Sequence, residues 1–282
     1  MTAAPTFPRL DGPLLLAGCG KMGGAMLAGW LKRGLAAQDV VVQDPGPPPE
    51  VAALIAANGV MSKSEITGAD LARPPAVMLV AVKPQVMDQV FPPLARLAGP
   101  GTLTLSVAAG RTIKGFEAHL PAASAVVRSI PNTPAAIARG ITVCVANAHV
   151  TPSQRTLADA LLAAIGEVGW VDDEALIDTA TAVSGSGPAY VFLLAECLAE
   201  AGRRAGLDAA LARRLADATV SGSGELLRLS GEEPAQLRRN VTSPNGTTQA
   251  ALEVLMREGN GLQELLTEAV AAATRRSREL AS

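Results

Sequence analysis

Apolar residues follow two different patterns along this chain, and the change falls near residue 172. Before it they come as short runs, unbroken at 14–17, 40–42 and 76–82 and carrying polar residues at 102–108, 125–128 and 141–146. Unbroken runs of strand length are what strands buried on both faces look like. Helix-forming stretches separate them: 25–30 follows the first run, 50–58 closes on Asn58 and Gly59, and another begins near Gln85, after Lys83 and Pro84 end the third run. This alternation predicts a parallel sheet covered by helices on both faces, because each crossover helix has to pack there.

From Glu174 onward no stretch reads as a strand. Apolar residues recur instead at helical spacing: Leu194, Cys197, Leu198 and Ala201; Leu211, Leu215 and Ala218; Leu262, Leu265, Leu266, Ala269 and Val270. Gly206 with Asp208 marks a helix stop and restart, and Ser186, Gly187 and Pro188 mark a helix entry. The expected architecture is therefore α/β, with a Rossmann-type parallel-sheet domain over 1–172 and an all-helical domain over 173–282. The second domain is small and rich in alanine, so part of its apolar face is expected to be buried against a second subunit.

Composition narrows the function classes. A chain of 282 residues has room for two domains with cores of their own. With 49% hydrophobic and 18% charged residues it has the balance of a soluble globular protein. The formal net charge of -2 leaves no basic footprint for nucleic acid, and 2% aromatic residues leave few surfaces for stacking bases. Cys19, Cys144 and Cys197 are scattered without a C-x-x-C pair, which suggests neither a zinc site nor a disulfide framework and points to a reduced, cytoplasmic setting. His119 and His149 have no acidic or cysteine cluster around them, so metal binding has no support. The N-terminus lacks the pattern of a signal peptide, and no apolar run approaches the roughly eighteen residues of a membrane span, so no membrane association is expected.

The most informative chemistry is the turn after the first run. Gly18 permits a tight turn, Gly20 lets a pyrophosphate approach the backbone, and Gly23 lets the following helix press on the strand. With Cys19, Lys21 and Met22 between them, these residues form a candidate dinucleotide-binding turn. A P-loop is excluded, because Met22 stands where Ser or Thr must follow the lysine. Asp44 lies about twenty residues beyond the last glycine, where a carboxylate can accept hydrogen bonds from the ribose of NAD. A turn-forming Asp before Pro45 explains the same residue equally well. The loop 43–50 holds no Lys or Arg, which leans toward NADH over NADPH. Ligands of such sheets sit beyond the carboxyl ends of the strands, so the loops at Lys83, 106–110 and 131–134 fall on the cofactor side.

Six motifs occur in one order: GCGKMGGAM from Gly18, AVKPQ from Ala81, SVAAG from Ser106, RSIPNTP from Arg128, AVSGSGPAY from Ala182 and VTSPNGTT from Val241. In this the chain resembles the pyrroline-5-carboxylate reductase family over nearly its whole length. The resemblance implies a Rossmann domain followed by a helical dimerisation domain, with dimers that can assemble into a larger ring. It implies reduction of 1-pyrroline-5-carboxylate to L-proline with NADPH or NADH, the family leaning to NADPH. Ala81, Val82, Lys83, Pro84, Ala108, Ala109 and Gly110 are implied as cofactor contacts, with Asn132 a further candidate that a proline-bracketed turn explains as well. Ser243, Gly246, Thr247 and Thr248 are implied to bind substrate, Thr248 placing a hydroxyl near the imine nitrogen. Asn245 departs from the family's glycine at that place, and Asn tolerates the left-handed backbone such a turn requires.

The substrate class makes modest demands. Protonation of a cyclic imine already makes its carbon a hydride acceptor, so the protein must supply position, a cradle for the carboxylate and a hydrogen bond at nitrogen. The loop at 243–248 opens a helix near Gln249, whose N–H groups suit a carboxylate, and the active site is expected to form between the domains. Two alternatives are weaker. A β-hydroxyacid dehydrogenase needs a lysine in the second domain, and no lysine follows Lys114. A sensor that binds nucleotide without turnover has no need for Ser243 and Thr248.

Overall fold

The structure, a computed structural model, describes residue 7 and residues 10–281. Eight strands form a single sheet: β1 (Leu14–Ala17), β2 (Val40–Gln43), β3 (Met61–Lys63), β4 (Val77–Val80), β5 (Leu103–Ser106), β6 (Ala125–Pro131), β7 (Gly140–Ala146) and β8 (Gly166–Trp170). Their order is β3-β2-β1-β4-β5-β6-β7-β8. All neighbours are parallel except β6 and β7, which pair antiparallel from Val127 opposite Ala146 to Pro131 opposite Thr142. The chain moves outward from β1 to β3 and then returns to lay β4 against the other side of β1. That reversal opens a crevice between β1 and β4, the place where sheets of this type receive ligands.

Helices α1 (Lys21–Lys32), α2 (Pro49–Asn58), α3 (Met87–Ala95), α4 (Ile113–Glu117), α5 (Pro152–Leu162) and α6 (Leu176–Ala180) accompany the sheet. Leu14, Leu16, Val40, Val42 and Leu79 pack with Met26, Leu27 and Trp30 of α1 and Leu161 of α5. On the opposite face Leu15, Val41, Met78 and Val80 pack with Met87, Phe91 and Leu94 of α3 and with Phe116 of α4. Two covered faces explain why the runs at 14–17, 40–42 and 76–82 are unbroken: consecutive residues enter opposite cores, each worth about 1.5–3 kcal/mol per fully buried large side chain. The Trp30 indole N–H, buried with its ring, donates to the Leu161 carbonyl at 2.8 Å and ties α1 to α5.

The sequence pattern does not predict β3 or β8. All three residues of β3 are exposed, and β8 is half-exposed with glycine at two of five positions, so neither carries an apolar signal. The all-parallel expectation fails from β7 on: β8 pairs parallel with β7, so both run against β1 to β6, and the reversal is made at β7. That strand returns from β6 after the short turn Thr133–Ile137, and a connection that short joins antiparallel strands.

By its contacts the chain divides into two compact units, residues 1–185 with 274–282, and residues 186–273. The second contains α7 (Gly187–Arg204), α8 (Ala209–Ser230), α9 (Pro234–Asn240), α10 (Thr247–Leu255) and most of α11 (Leu262–Ala281). Helices α7 and α8 pack against each other. Asp208 caps α8, its Oδ1 accepting the N–H groups of Ala210 at 2.9 Å and Leu211 at 3.2 Å. Yet no residue of α7 is buried in the single chain, and Phe192 is 62% exposed. With the short π segment Thr181–Gly185, residues 176–204 make one helical stretch whose best window has a mean hydropathy of 1.3. By length and composition this stretch could cross a bilayer, which a search for unbroken apolar runs does not register.

The last turns of α11 belong to the first unit. The Ser277 hydroxyl donates to Oδ1 of the buried Asp178 at 2.7 Å, and the Leu280 carbonyl lies 3.3 Å from where a side chain on Gly110 would begin.

Candidate active site

The carboxyl ends of β2, β1, β4 and β5 are laced into a row by main-chain bonds: Gly18 N–H to Gln43 O at 2.8 Å, Ala81 N–H to Ala17 O at 2.7 Å, and Val107 N–H to Val80 O at 3.0 Å. Three of the motifs singled out by sequence therefore begin side by side. Gly18 has φ +88, and a Cβ there would meet the Ala81 carbonyl oxygen at 2.7 Å. A Cβ on Gly23 would lie 2.2 Å from the Gly18 oxygen. At Gly20 a Cβ would meet nothing within 4 Å. Two of the glycines thus close the turn, while the third leaves open space above the start of α1.

Gly20 is the N-cap of α1 and supplies no side-chain cap. Gly24 N–H is the first to reach back, to Gly20 O at 2.7 Å, so the N–H groups of Lys21, Met22 and Gly23 are left for a ligand. Free N–H groups, a helix N-terminus and open space at Gly20 fit a pyrophosphate. Lys21 is exposed, Met22 packs against the core, and the Cys19 side chain is buried. Burial, and after it the charge of Asp44, pushes the Cys19 thiol up to about 12, so it stays neutral.

Asp44 sits immediately beyond β2. Its Oδ2 accepts the Cys19 N–H at 2.6 Å and its Oδ1 accepts the Gly46 N–H at 2.8 Å. The carboxylate serves the turn-forming reading and still has unused lone pairs, since a carboxylate offers about four acceptor sites.

The two loops further along the row are joined by Arg111, whose guanidinium donates to the Pro84 carbonyl at 3.4 Å and to Asp88 at 2.8 Å. Lys83 is exposed at the head of the turn Pro84–Val86, with Ala81 and Val82 half-buried before it. Ala108 is buried, Ala109 exposed, and Gly110 takes φ +71. Behind this loop, Arg128 of β6, 3% exposed, pairs with Glu174 at 2.8 Å, and the same Glu174 oxygen accepts the Ile113 N–H at 2.9 Å. Sequence reasoning assigns no role to Arg111, Arg128 or Glu174, although Arg111 stands directly after SVAAG and Arg128 opens RSIPNTP. Asn132 is committed elsewhere, donating to the Ser184 carbonyl at 3.1 Å and accepting the Ile141 N–H at 2.9 Å. A cavity of about 590 Å³, lined by Arg73, Thr102, His149 and Thr151 among others, lies at the amino ends of β4 to β6, away from the glycine turn.

In the second unit, residues 243–248 form the entry to α10. Asn245 has φ +58, the left-handed backbone expected for it, and its N–H donates to the Gln249 side chain at 2.8 Å. Gly246 N–H closes the turn on Ser243 O at 3.0 Å, and a Cβ on Gly246 would strike Ser243 Oγ at 2.5 Å. Gly246 is again an N-cap without a side-chain cap, and Ala250 N–H is the first to reach back, at 3.3 Å. The N–H groups of Thr247, Thr248 and Gln249 are therefore left over beside the Ser243 and Thr247 hydroxyls, an arrangement suited to a carboxylate. Thr248 is half-buried on the first turn.

A doubly wound sheet with this turn, followed by a helical unit with its own anion-suited helix start, defines an oxidoreductase that uses a nicotinamide cofactor. The chain belongs to the pyrroline-5-carboxylate reductase family. Residues 174–280 match the family model for pyrroline-5-carboxylate reductase dimerisation, and residues 14–110 match the model described as NADP oxidoreductase, coenzyme F420-dependent. The pyrroline-5-carboxylate reductase of Pseudomonas aeruginosa is 41% identical over 94% of this chain and 95% of its own length. That of Synechocystis is 47% identical over 72% and 74%. Among solved structures, a pyrroline-5-carboxylate reductase from Coxiella burnetii superposes with a TM-score of 0.88 at 33% identity, covering 96% of this chain and 99% of its own. The Plasmodium falciparum enzyme with NADP bound gives 0.77 at 26%, covering 98% and 100%. The dimerisation model supplies a partner of the right kind for the exposed α7: a second copy of the chain.

Proposed function

We propose that this chain reduces the C=N bond of 1-pyrroline-5-carboxylate, yielding L-proline in the last step of proline biosynthesis. The observation that carries the reading is the end-to-end match to the Pseudomonas aeruginosa reductase. A reduced nicotinamide dinucleotide, when bound, supplies the hydride. For the cofactor, Gly18, Gly20 and Gly23 shape the seat, the free N–H groups of α1 hold phosphate oxygens, and Ala81 to Pro84 with Ala108 to Gly110 line the adjoining loops. For the substrate, the N–H groups opening α10 and the Ser243 and Thr247 hydroxyls hold the carboxylate. The Thr248 hydroxyl hydrogen-bonds at the ring nitrogen, where positioning rather than strong acid is required.

Between the two dinucleotides we infer NADH, because the Asp44 carboxylate can accept from a ribose hydroxyl and repels a 2′-phosphate. We further infer a cytoplasmic enzyme whose dimers, joined through the helical unit, assemble into a ring. Purified protein given 1-pyrroline-5-carboxylate with NADH and with NADPH should oxidise both, NADH with the higher kcat/KM. Tight cofactor binding with no oxidation would point to the sensor, and a strong preference for NADPH would remove Asp44 from the ribose.

A further inference from the structure

Strand β3, which sequence patterning does not predict, brings a cation beside Asp44. Lys63 closes β3 opposite Gln43 in the ladder, and the Asp44 N–H donates to the Lys63 carbonyl at 3.0 Å. Neighbouring strands lie about 4.8 Å apart, so a lysine side chain at this position can span to a group seated at Asp44. Its ammonium is turned elsewhere, onto Oδ1 of Asp70.

Asp70 is fixed from its other side. Its Oδ2 accepts both the N–H and the hydroxyl of Thr67 at 2.8 Å, in a capping box that closes the turn Gly68–Asp70. The Asp70 side chain is 13% exposed and the Lys63 side chain 50%. The pair is therefore one-sided: the lysine can swing and the carboxylate cannot follow it.

We propose that Asp70 is a specificity-determining residue, holding the Lys63 ammonium away from the ribose so that a 2′-phosphate at Asp44 meets negative charge with no cation to offset it. This rests on the dinucleotide reading of the site. Removal of the Asp70 charge frees Lys63 to pair with the 2′-phosphate, a charge-assisted contact the present arrangement denies it.

The test is calorimetric titration with adenosine 2′,5′-bisphosphate and with adenosine 5′-monophosphate, which needs no turnover. Asp70→Asn, which keeps an acceptor for Thr67, is expected to tighten the bisphosphate about tenfold while the monophosphate changes by less than about twofold, the scale of one charge-assisted contact. Adding Lys63→Gln returns the ratio to the wild-type value. Asp70→Ser, a second way of leaving Lys63 without its carboxylate, gives the same ratio as the Asn variant and covers a folding failure of either. An unchanged ratio in both single variants overturns the proposal. If wild type already prefers the bisphosphate, the NADH reading fails, while a further rise in Asp70→Asn still supports this one. If no variant binds either nucleotide, the dinucleotide reading falls and this inference with it.

Discussion

The Cys19 N–H and Oδ2 of Asp44 stand 2.6 Å apart, so one carboxylate ties the glycine turn to the end of β2. Asp44→Ser removes the acceptor for Cys19 and for Gly46 together. The expected cost is about 1–3 kcal/mol of stability, carried by the N–H of the buried Cys19 left without a partner, since Gly46 is exposed and its N–H can turn to water. Its functional signature is a fall in the NADH to NADPH ratio of kcat/KM by about tenfold, the scale of one lost hydrogen bond to a charged group. Urea unfolding and steady-state kinetics with both cofactors read the two effects separately.

Gly20 and Gly23 should respond oppositely to the same methyl group. Gly23→Ala forces a carbon against the Gly18 carbonyl and should lose about 1–3 kcal/mol, visible as a lower Tm. Gly20→Ala meets open space in the protein alone, so its Tm should hold while dinucleotide affinity drops. Thermal melts with and without cofactor distinguish them. A Gly20→Ala protein that binds cofactor normally would show that nothing approaches that face.

Thr248→Ala should reduce kcat by about tenfold or more, the scale of a lost transition-state hydrogen bond, and leave the KM for cofactor nearly constant. Thr248→Ser should recover much of the rate. Equal loss in both variants would indicate that the methyl group, and not the hydroxyl, matters at this half-buried position.

Phe192→Glu and Leu194→Glu, made separately, place a charge on an α7 surface that is exposed in the single chain. Folding of the chain itself should survive, while dimer dissociation constants should rise about a hundredfold, the range of interface anchors. Sedimentation equilibrium measures this, and an unshifted equilibrium for both would place the subunit interface on other helices.

The Cys19 thiol gives a pH prediction. Its pKa is raised from the ordinary 9.0 to about 12 in the folded protein, by burial first and by Asp44 second. A raised folded pKa means that the contribution to stability is complete below pH 9 and is lost as pH climbs toward about 12. Cys19→Ala should therefore show a shallower loss of stability with rising pH across that window. At pH near 9, iodoacetamide should leave Cys19 and the likewise buried Cys144 unmodified until denaturant is added.

What the chain reveals before folding follows from how each element is buried. Strands β1, β2 and β4 to β7 lie between two cores, so most of their side chains are apolar, and they are legible. β3 shows nothing but exposed Met61, Ser62 and Lys63, held by main-chain bonds to β2 that leave no trace in side-chain chemistry. Strand β3 is what sets Lys63 opposite Gln43, so counting cations within the loop 43–50 alone misses it. The glycine turn was legible because its geometry forbids side chains at Gly18 and Gly23. Arg128 and Glu174 were not, because their pairing joins residues 46 apart and neither residue type is distinctive alone.

The last turns of α11, bonded through Ser277 to Asp178 and reaching Gly110 at Leu280, have a practical consequence for anyone dividing this protein. A fragment ended after the last sheet strand would lack the segment that closes its own surface. A fragment begun there would carry, at its far end, a tail built to fit a molecule no longer attached. Dissection of this reductase therefore calls for the helical region to be excised as an internal insert, with the two flanking pieces of backbone rejoined by a short linker.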